Sequence, residues 1–273
     1  KLEEKMKKVE EEISSIDPNR YPAKLGAIEI KARLTRIREL AMQGRIAVSD
    51  ARPLLEVLPR LLGEPKEKRY LVLFQNDKEL RPSGGFITAY AIFRIEHGIV
   101  HLDKSDDIYA LDASLTTKTV APEIILKYLP LVPYFNLRDS NLSPDFVESM
   151  KLFESLYDKA GGKVAIDGII AVDTHVLVTV LNVLGGVDAG GVKYTTDNDS
   201  RCNCPQVIYE LEDYSSRPVN YVRQGRKDII GVLLNEIMKK ALASSPKVYW
   251  GPLFQAGLTE IAQKHVIFYL HDN

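Results

Sequence analysis

The chain of 273 residues lacks most of the features by which a protein class is quickly recognised. It contains only two cysteines, Cys202 and Cys204, so one disulfide at most can form and the hydrophobic core has to stabilise the fold. The C-x-C spacing has no second pair of ligands. This favours two loop thiols or a local disulfide over a metal site.

Two further absences concern nucleic acids and membranes. The net charge is -1 at pH 7, whereas a general nucleic-acid binder carries a basic excess, so no nucleic-acid partner is expected. No apolar run is long enough to cross a bilayer, and the charged start KLEEKMKKVEEEISSI is not a signal peptide. The sequence begins without Met and ends directly after the apolar run HVIFYL, so we expect it to be a segment of a longer protein.

Residues 1–64 are predicted to form a helical stalk or hairpin without visible chemistry. The apolar residues of the first helix alternate in steps of four and three, which is typical of packing on one partner helix. The stretch KLGAIEIKARLTRIRELAMQG predicts a second helix that ends at Gly44. A third, shorter helix is predicted in SDARPLLEVLPRLLGEP, with Ser49 or Asp50 as its N-cap.

From residue 65 onward, strand and helix patterns alternate. The run YLVLF is typical of a strand buried on both faces, and GFITAYAIFRIEHGIVHLDK predicts a hairpin that turns at His97 and Gly98. Further strands are predicted in KVAIDGIIAVD and HVIFYL, with helices between them. The first of these helices is predicted in THVLVTVLNVLGG, and it is expected to stop at the glycines. Residues 65–273 are therefore predicted to form a layered α/β/α domain with a mixed central sheet, preceded by the N-terminal helical segment.

Polar clusters stand at the ends of these elements, where α/β sheets bind their ligands. The first is NDKELRPSGGF, in which Gly84 and Gly85 let the backbone approach an anion and Arg81 could hold a phosphate with two hydrogen bonds. No G-K-[ST] follows, so this is not a P-loop. The alternative is a polar loop whose glycines only permit a turn, and the sequence leaves both open.

Two more clusters follow. In DKSDDIYALD, Asp106 and Asp107 offer the carboxylates that Mg²⁺ binds, or they form a solvated acidic turn. In LRDSNLSPDF, Ser143 is predicted as the N-cap of a helix that has Pro144 at its first position. Capping chemistry explains Ser143 and Asp145. It does not explain Arg138 and Asp139, which predict either an internal salt bridge or a function.

The fourth cluster is NYVRQGRKD, where Arg223, Arg226 and Lys227 enter a helix. Cations at this position oppose the helix dipole, which favours an anionic partner, either an acidic neighbour or a phosphate. Hydrolase, metalloprotease and dinucleotide-binding signatures are missing. The five histidines are scattered, and we predict surface or core roles for each of them: His97, His101, His175, His265 and His271.

Taken in order, the stretches YLVLFQNDKELRPSGGF, DIYALD, LRDSNLSPDF and IDGIIAVD resemble a bacterial family, the domain of unknown function family 4012. The resemblance begins at about residue 69 and covers most of the chain after it. Members of that family look like envelope proteins with a helical segment before the domain. The resemblance implies an extracytoplasmic location and membrane anchoring through a segment absent from this chain.

A more distant resemblance concerns IDGIIAVDTHVLVTVLNVLGGVDAGG and NYVRQGRKDIIGVLLNEIMKKAL, which are similar to segments of the LytR/CpsA/Psr family. Its members transfer phospho-glycopolymers from a polyprenyl-pyrophosphate carrier to peptidoglycan, with arginines on the pyrophosphate and aspartates that bind magnesium. That family's R-x-D-T motif is replaced here by RPSGGF. Its later arginine–glutamine pair is replaced by Lys227 and Asp228.

The resemblance and the polar clusters together predict a site. The catalytic candidates are Arg81, Asp106, Asp107, Arg138 and Asp139. The pyrophosphate-binding candidates are Arg81, Gly84, Gly85, Arg223, Arg226 and Lys227. The expected cofactor is Mg²⁺, held by Asp106 and Asp107. The expected partner is a polyprenyl-pyrophosphate-linked glycan or another envelope polymer.

Two functions fit these expectations. The first is a Mg²⁺-dependent phosphotransferase that moves a glycopolymer from its lipid carrier to a wall acceptor, which the arginines and aspartates favour. The second is an envelope binding or structural module that kept the fold without the chemistry, which the missing R-x-D-T favours. A weaker third option is a polysaccharide-binding protein, which the 13 tyrosines allow.

Overall fold

The computed structural model describes residues 2–24, 29–129, 131–216, 228–243 and 246–271. The chain divides into two compact units, residues 1–66 with 96–98 and residues 67–95 with 99–273. Among the described residues, none of the helices combines the length and the apolar composition needed to cross a membrane.

In its described residues, the first unit has two long helices, α1 (Leu2–Ser14) and α2 (Ile30–Leu61), with a short 3₁₀ turn at Pro18–Arg20. The prediction of two helices separated after Gly44 is wrong, because α2 continues through this glycine. A Cβ added at Gly44 would lie 2.9 Å from the Met6 side chain of α1. The missing side chain therefore serves close packing of two helices and does not end one.

The second unit is built on a five-stranded mixed sheet with the order β3-β2-β1-β4-β9. Strand β1 pairs antiparallel with β2 and parallel with β4, and β4 pairs antiparallel with β9. This confirms the α/β class and the mixed sheet. The strands are β1 Lys68–Asn76, β2 Phe86–Glu96, β3 Ile99–Asp107, β4 Gly168–Asp173, β5 Val187–Ala189, β6 Val192–Tyr194, β7 Asn198–Asp199, β8 Cys204–Pro205 and β9 Val266–Leu270.

The described part of the second unit contains seven helices. They are α3 Ile108–Ala113, α4 Glu123–Tyr128, α5 Phe146–Tyr157, α6 Thr174–Leu184, α7 Gln206–Ser216, α8 Asp228–Ala243 and α9 Pro246–Ala262, with a 3₁₀ turn at Leu137–Asp139. The predicted end of α6 is confirmed, because Gly185 follows it with a φ of 74°. The predicted N-cap of α5 is wrong: Asp145 Oδ1 accepts the Val147 amide at 2.9 Å, and Ser143 Oγ instead accepts the Asp145 amide.

The hydrophobic core has two parts. The first joins the sheet to α3 and α5, with Leu71, Leu73 and Phe153 fully buried. The second lies among α6, α7, α8 and the β5–β6 hairpin, around Leu181 and Val207. Four successive residues of β1, 70–73, are buried, as expected for a strand covered on both faces.

Strand β9 approaches β4 closely at Gly168. A Cβ added there would lie 2.7 Å from the Tyr269 carbonyl oxygen and 3.0 Å from the Leu270 Cα. We therefore expect Gly168→Ala to lower the free energy of unfolding by about 1–3 kcal/mol in urea titrations. Gly251→Ala is the control, because a Cβ meets nothing within 4 Å there and alanine favours a helix. Equal effects of both changes would contradict this account.

Asp167 links the start of β1 to the turn before β4. Its carboxylate accepts one hydrogen bond from Lys68 Nζ at 2.7 Å and another from the Arg69 amide at 2.9 Å. Burial raises the pKa of Asp167, but the bonds from Lys68 and Arg69 outweigh burial and hold this pKa below its ordinary value. Folding lowers the pKa of Asp167. The carboxylate therefore stabilises the fold fully at a pH above its pKa in the unfolded chain, and this stabilisation is lost as the pH falls through its pKa in the folded chain.

Asp167→Asn should flatten the acid limb of a Tm-against-pH curve, because asparagine does not titrate. The exposed Asp158→Asn should leave that limb steep.

Candidate functional site

The chain brings its polar clusters to one edge of the sheet. In the parallel pair of β1 and β4, Gln75 lies opposite Asp173, so both carboxyl ends share this edge. Strand β3 follows β2 through a two-residue turn and runs in the direction of β1, which places its end at the same edge. The loop 77–85 and the starts of α3 and α6 therefore lie where α/β sheets bind ligands.

The loop before β2 is fixed by two side-chain amides. Gln75 Nε2 donates to Ser83 Oγ at 2.9 Å and to the Gly85 carbonyl at 3.2 Å. Asn141 Nδ2 donates to the same two oxygens at 3.0 and 2.8 Å. All four residues are buried. Asn141 Oδ1 has no hydrogen-bond partner within the described part of the chain, an exception to the rule that buried polar atoms are paired.

The two glycines of this loop are required by its conformation. Gly84 has a φ of 116° and Gly85 a φ of 154°. A Cβ at Gly85 would also lie 2.3 Å from the Asn76 carbonyl oxygen. The glycines thus allow the turn to lie directly on the end of β1, whether or not an anion binds beside them.

Arg81 carries a charge that no acidic group neutralises among the described residues. Its Nη1 donates to the Leu80 carbonyl at 3.0 Å, and its guanidinium lies 5.2 Å from the centre of the Phe86 ring. The aromatic face orients the side chain without neutralising it. The guanidinium therefore keeps donors available for an anionic ligand.

Arg138 is held differently, by an internal salt bridge. Its Nη1 lies 2.5 Å from Asp112 Oδ2, its Nε lies 3.6 Å from Asp139 Oδ2, and its guanidinium stacks 4.7 Å from the Tyr109 ring centre. Burial raises the pKa of Asp112, and the neighbouring Arg138 opposes that shift. Of the two explanations that the sequence left open for Arg138 and Asp139, the structure shows the internal one.

Asp106 and Asp107 end β3. Asp107 Oδ1 accepts the Ala110 amide at 2.7 Å and caps α3, and Asp106 Oδ1 accepts the Asp107 amide at 2.9 Å. Carboxylates are the ligands that Mg²⁺ prefers, and binding of this ion by Asp106 and Asp107 stays a prediction. The remaining predicted cations, Arg223, Arg226 and Lys227, lie outside the described residues.

A chain of contacts joins three of the four predicted clusters. Asn141 binds the loop at Ser83 and Gly85. Arg138, three residues before it, binds Asp112 of α3, and Asp107 caps the same helix. The glycine loop, the LRDSN segment and the acidic end of β3 are therefore connected parts of one edge.

A second polar cluster lies at this edge, and the sequence patterns did not predict it. The rings of His175 and His265 stack with centres 4.2 Å apart and planes 15° apart. His175 Nδ1 lies 2.9 Å from Glu260 Oε2, and His265 Nδ1 lies 2.6 Å from Asp173 Oδ2. Burial raises the pKa of Glu260, but bonds from His175 and Thr179 bring it below its ordinary value. The signal in the sequence was weak: His175 follows β4 and His265 precedes β9, and only the pairing of these two strands brings the histidines together.

The two arginines should differ sharply when each is replaced by methionine. Arg138→Met leaves the buried Asp112 carboxylate without its cation, and we expect a loss of about 3 kcal/mol in the free energy of unfolding. Arg81→Met breaks no ion pair among the described residues and should change stability by less than about 0.5 kcal/mol. Urea titration of both variants tests this. A large loss in Arg81→Met would show that this arginine holds the fold together.

Comparisons with solved structures give similarities at low sequence identity. One similar structure is gbs0355 from Streptococcus agalactiae, at 14% identity and a TM-score of 0.47. The match covers 78% of this chain and 71% of that chain. TagV from Bacillus subtilis is similar at 14% identity, with 75% and 74% covered and a TM-score of 0.40. TagT bound to LI-WTA is similar at 13% identity, with 76% and 70% covered and a TM-score of 0.33.

With TM-scores below 0.5, these similarities carry no information on chemistry. No curated protein matches the chain. Residues 66–202, half of the chain, match the family described as protein of unknown function (DUF4012), and the chain belongs to this family.

Proposed function

We propose that the protein acts in the cell envelope and binds a pyrophosphate-linked envelope polymer at the edge of its sheet. The observation that carries this proposal is Arg81, whose guanidinium has no acidic partner among the described residues and adjoins a fixed Gly-Gly turn. A planar guanidinium with free donors suits phosphate oxygens. The turn lets a ligand approach the backbone closely.

The surroundings of Arg81 suit a ligand with an apolar tail. Leu80, the neighbouring residue, is 87% exposed, and Tyr109, which stacks on Arg138 at the same edge, is 57% exposed. Exposed apolar side chains at an edge that also carries a cation would suit a lipid pyrophosphate, with its charged head and hydrocarbon chain. A polyprenyl-pyrophosphate-linked glycan is therefore the proposed ligand.

The finer proposal is a transfer reaction. An acceptor hydroxyl would attack the phosphorus next to the sugar, its proton would go to solvent, and polyprenyl phosphate would leave as the P–O bridge breaks. Asp106 and Asp107 would hold Mg²⁺, which supplies neutralisation of phosphate charge, and Arg81 would add to it. Phosphoryl transfer depends chiefly on such neutralisation and positioning.

Specific contacts favour a second candidate, a binding module without chemistry. Asp107 caps a helix, Asp106 accepts the Asp107 amide, and Arg138 and Asp139 belong to a salt bridge, so four of the five predicted catalytic residues have structural partners. Ligand binding by Arg81 is common to both candidates. Turnover alone distinguishes them.

The disulfide between Cys202 and Cys204 supports an extracytoplasmic location, because disulfides persist in oxidising compartments. It closes the short β7–β8 hairpin and leaves no free cysteine in the chain. Anchoring to the membrane through a segment absent from this chain remains part of the proposal.

Thermal denaturation with a short-chain prenyl pyrophosphate, with and without Mg²⁺, tests the binding. We expect a rise in Tm that corresponds to about 2.7 kcal/mol at one hundred times the Kd, larger with Mg²⁺. Arg81→Met should abolish this rise and leave the unliganded Tm unchanged. Arg36→Met, which removes an exposed arginine of α2, should respond as the unsubstituted protein does. No rise in Tm at millimolar ligand would refute the proposal.

A transfer assay with lipid-linked glycan then separates the two candidates. Asp107→Asn suits this assay, because asparagine caps a helix as well as aspartate but carries no charge for Mg²⁺. Mg²⁺-dependent release of polyprenyl phosphate that Asp107→Asn abolishes would establish the transferase. Binding without release would establish the module.

A further inference from the structure

His175 and His265 form a cluster with the buried acid Glu260. The proposed binding and transfer of a pyrophosphate-linked polymer involve none of these three residues. One ligand atom each of His175, Glu260 and His265 lies within 4.8 Å of the others. Imidazole nitrogens and a carboxylate oxygen are the ligands of zinc-class ions, whereas Mg²⁺ prefers oxygen ligands and water. The donor set is thus distinct from the Asp106 and Asp107 pair.

Glu260 is the most telling member of the cluster, because it is only 3% exposed. Its Oε1 accepts the Thr179 hydroxyl at 2.8 Å, and its Oε2 lies 2.9 Å from His175 Nδ1. Within the described part of the chain, neither a lysine nor an arginine pairs with it. A buried carboxylate without a full cation is costly unless an ion or a charged partner compensates it.

His265 is already fixed in position. The His265 amide donates to the Glu260 carbonyl at 2.9 Å, and the Asp173 amide donates to the His265 carbonyl at 3.2 Å. Asp173 Oδ2 also holds His265 Nδ1 at 2.6 Å, which leaves Nε2 as the ligand atom. A carboxylate that orients a histidine in this way is the usual outer support of a metal-bound imidazole.

We propose that His175, Glu260 and His265 bind a transition-metal dication of the zinc class. Bond lengths of about 2.1 Å in a tetrahedral shell place ligand atoms about 3.4 Å apart. The 2.9 Å contact between His175 and Glu260 would therefore open by about 0.5 Å as the metal replaces the shared proton. The His175 side chain is 47% exposed, so its ring can turn and the fourth position is open to solvent or to a ligand.

Cobalt is the probe that reports this site, because tetrahedral Co²⁺ absorbs visible light strongly and zinc displaces it. The chelator-treated full chain, without a polyhistidine tag, should take up one equivalent of Co²⁺ with a tetrahedral spectrum. Zn²⁺ should abolish that spectrum and raise the Tm, and Mg²⁺ should do neither. The absence of stoichiometric Co²⁺ uptake would overturn the proposal.

Two variants identify the ligands. His175→Ala removes one ligand at a half-exposed position, and the Co²⁺ affinity of the folded variant should fall by at least about 100-fold. His271→Ala is the matched control: His271 stands after the other end of β9 and pairs with Glu154 at 2.6 Å, but has no second histidine beside it. Its Co²⁺ affinity should be unchanged. Equal affinities of the two variants would refute the site, and neither result depends on pyrophosphate binding.

Discussion

The parallel pairing of β1 with β4 is the constraint on which the candidate chemistry depends. It sets Gln75 opposite Asp173 and so brings two segments that lie about 100 residues apart to one edge. Everything that follows these strands shares that edge: the glycine turn after β1 and the first turn of α6 after β4. The antiparallel neighbours β2 and β9 add Phe86 and His265 from the opposite chain direction.

Two guanidiniums at this edge show how burial separates a structural role from a functional one. Arg138 is largely buried against Asp112, and a charge in that position has to be paired, since desolvation would otherwise make it costly. Arg81 lies over the aromatic ring of Phe86, and no acidic group among the described residues pairs with its guanidinium. The buried amides of Gln75 and Asn141 hold the loop, so Arg81 is positioned without being neutralised.

Sequence patterns predicted the elements whose signals are local. The apolar run of β1, the hairpin turn at His97 and Gly98 and the glycine end of α6 are all decided by residues adjacent in the chain. The role of Gly44 depends on Met6 of another helix, so residues adjacent to Gly44 in the chain do not reveal it. The His175–His265 pair could not be predicted either, since 90 residues separate its members and only the strand pairing joins them.

Asp173 divides its two oxygens between two structures. Oδ1 accepts the His175 amide and caps α6, and Oδ2 holds the ring of His265. The next residue, Thr174, donates its hydroxyl to Asp77 of the glycine loop. The consecutive residues Asp173, Thr174 and His175 therefore connect the histidine pair to the loop that carries Arg81. Coupling between two binding sites is reciprocal. If a ligand bound at the histidines strengthens binding at the loop by some factor, a ligand bound at the loop strengthens binding at the histidines by the same factor.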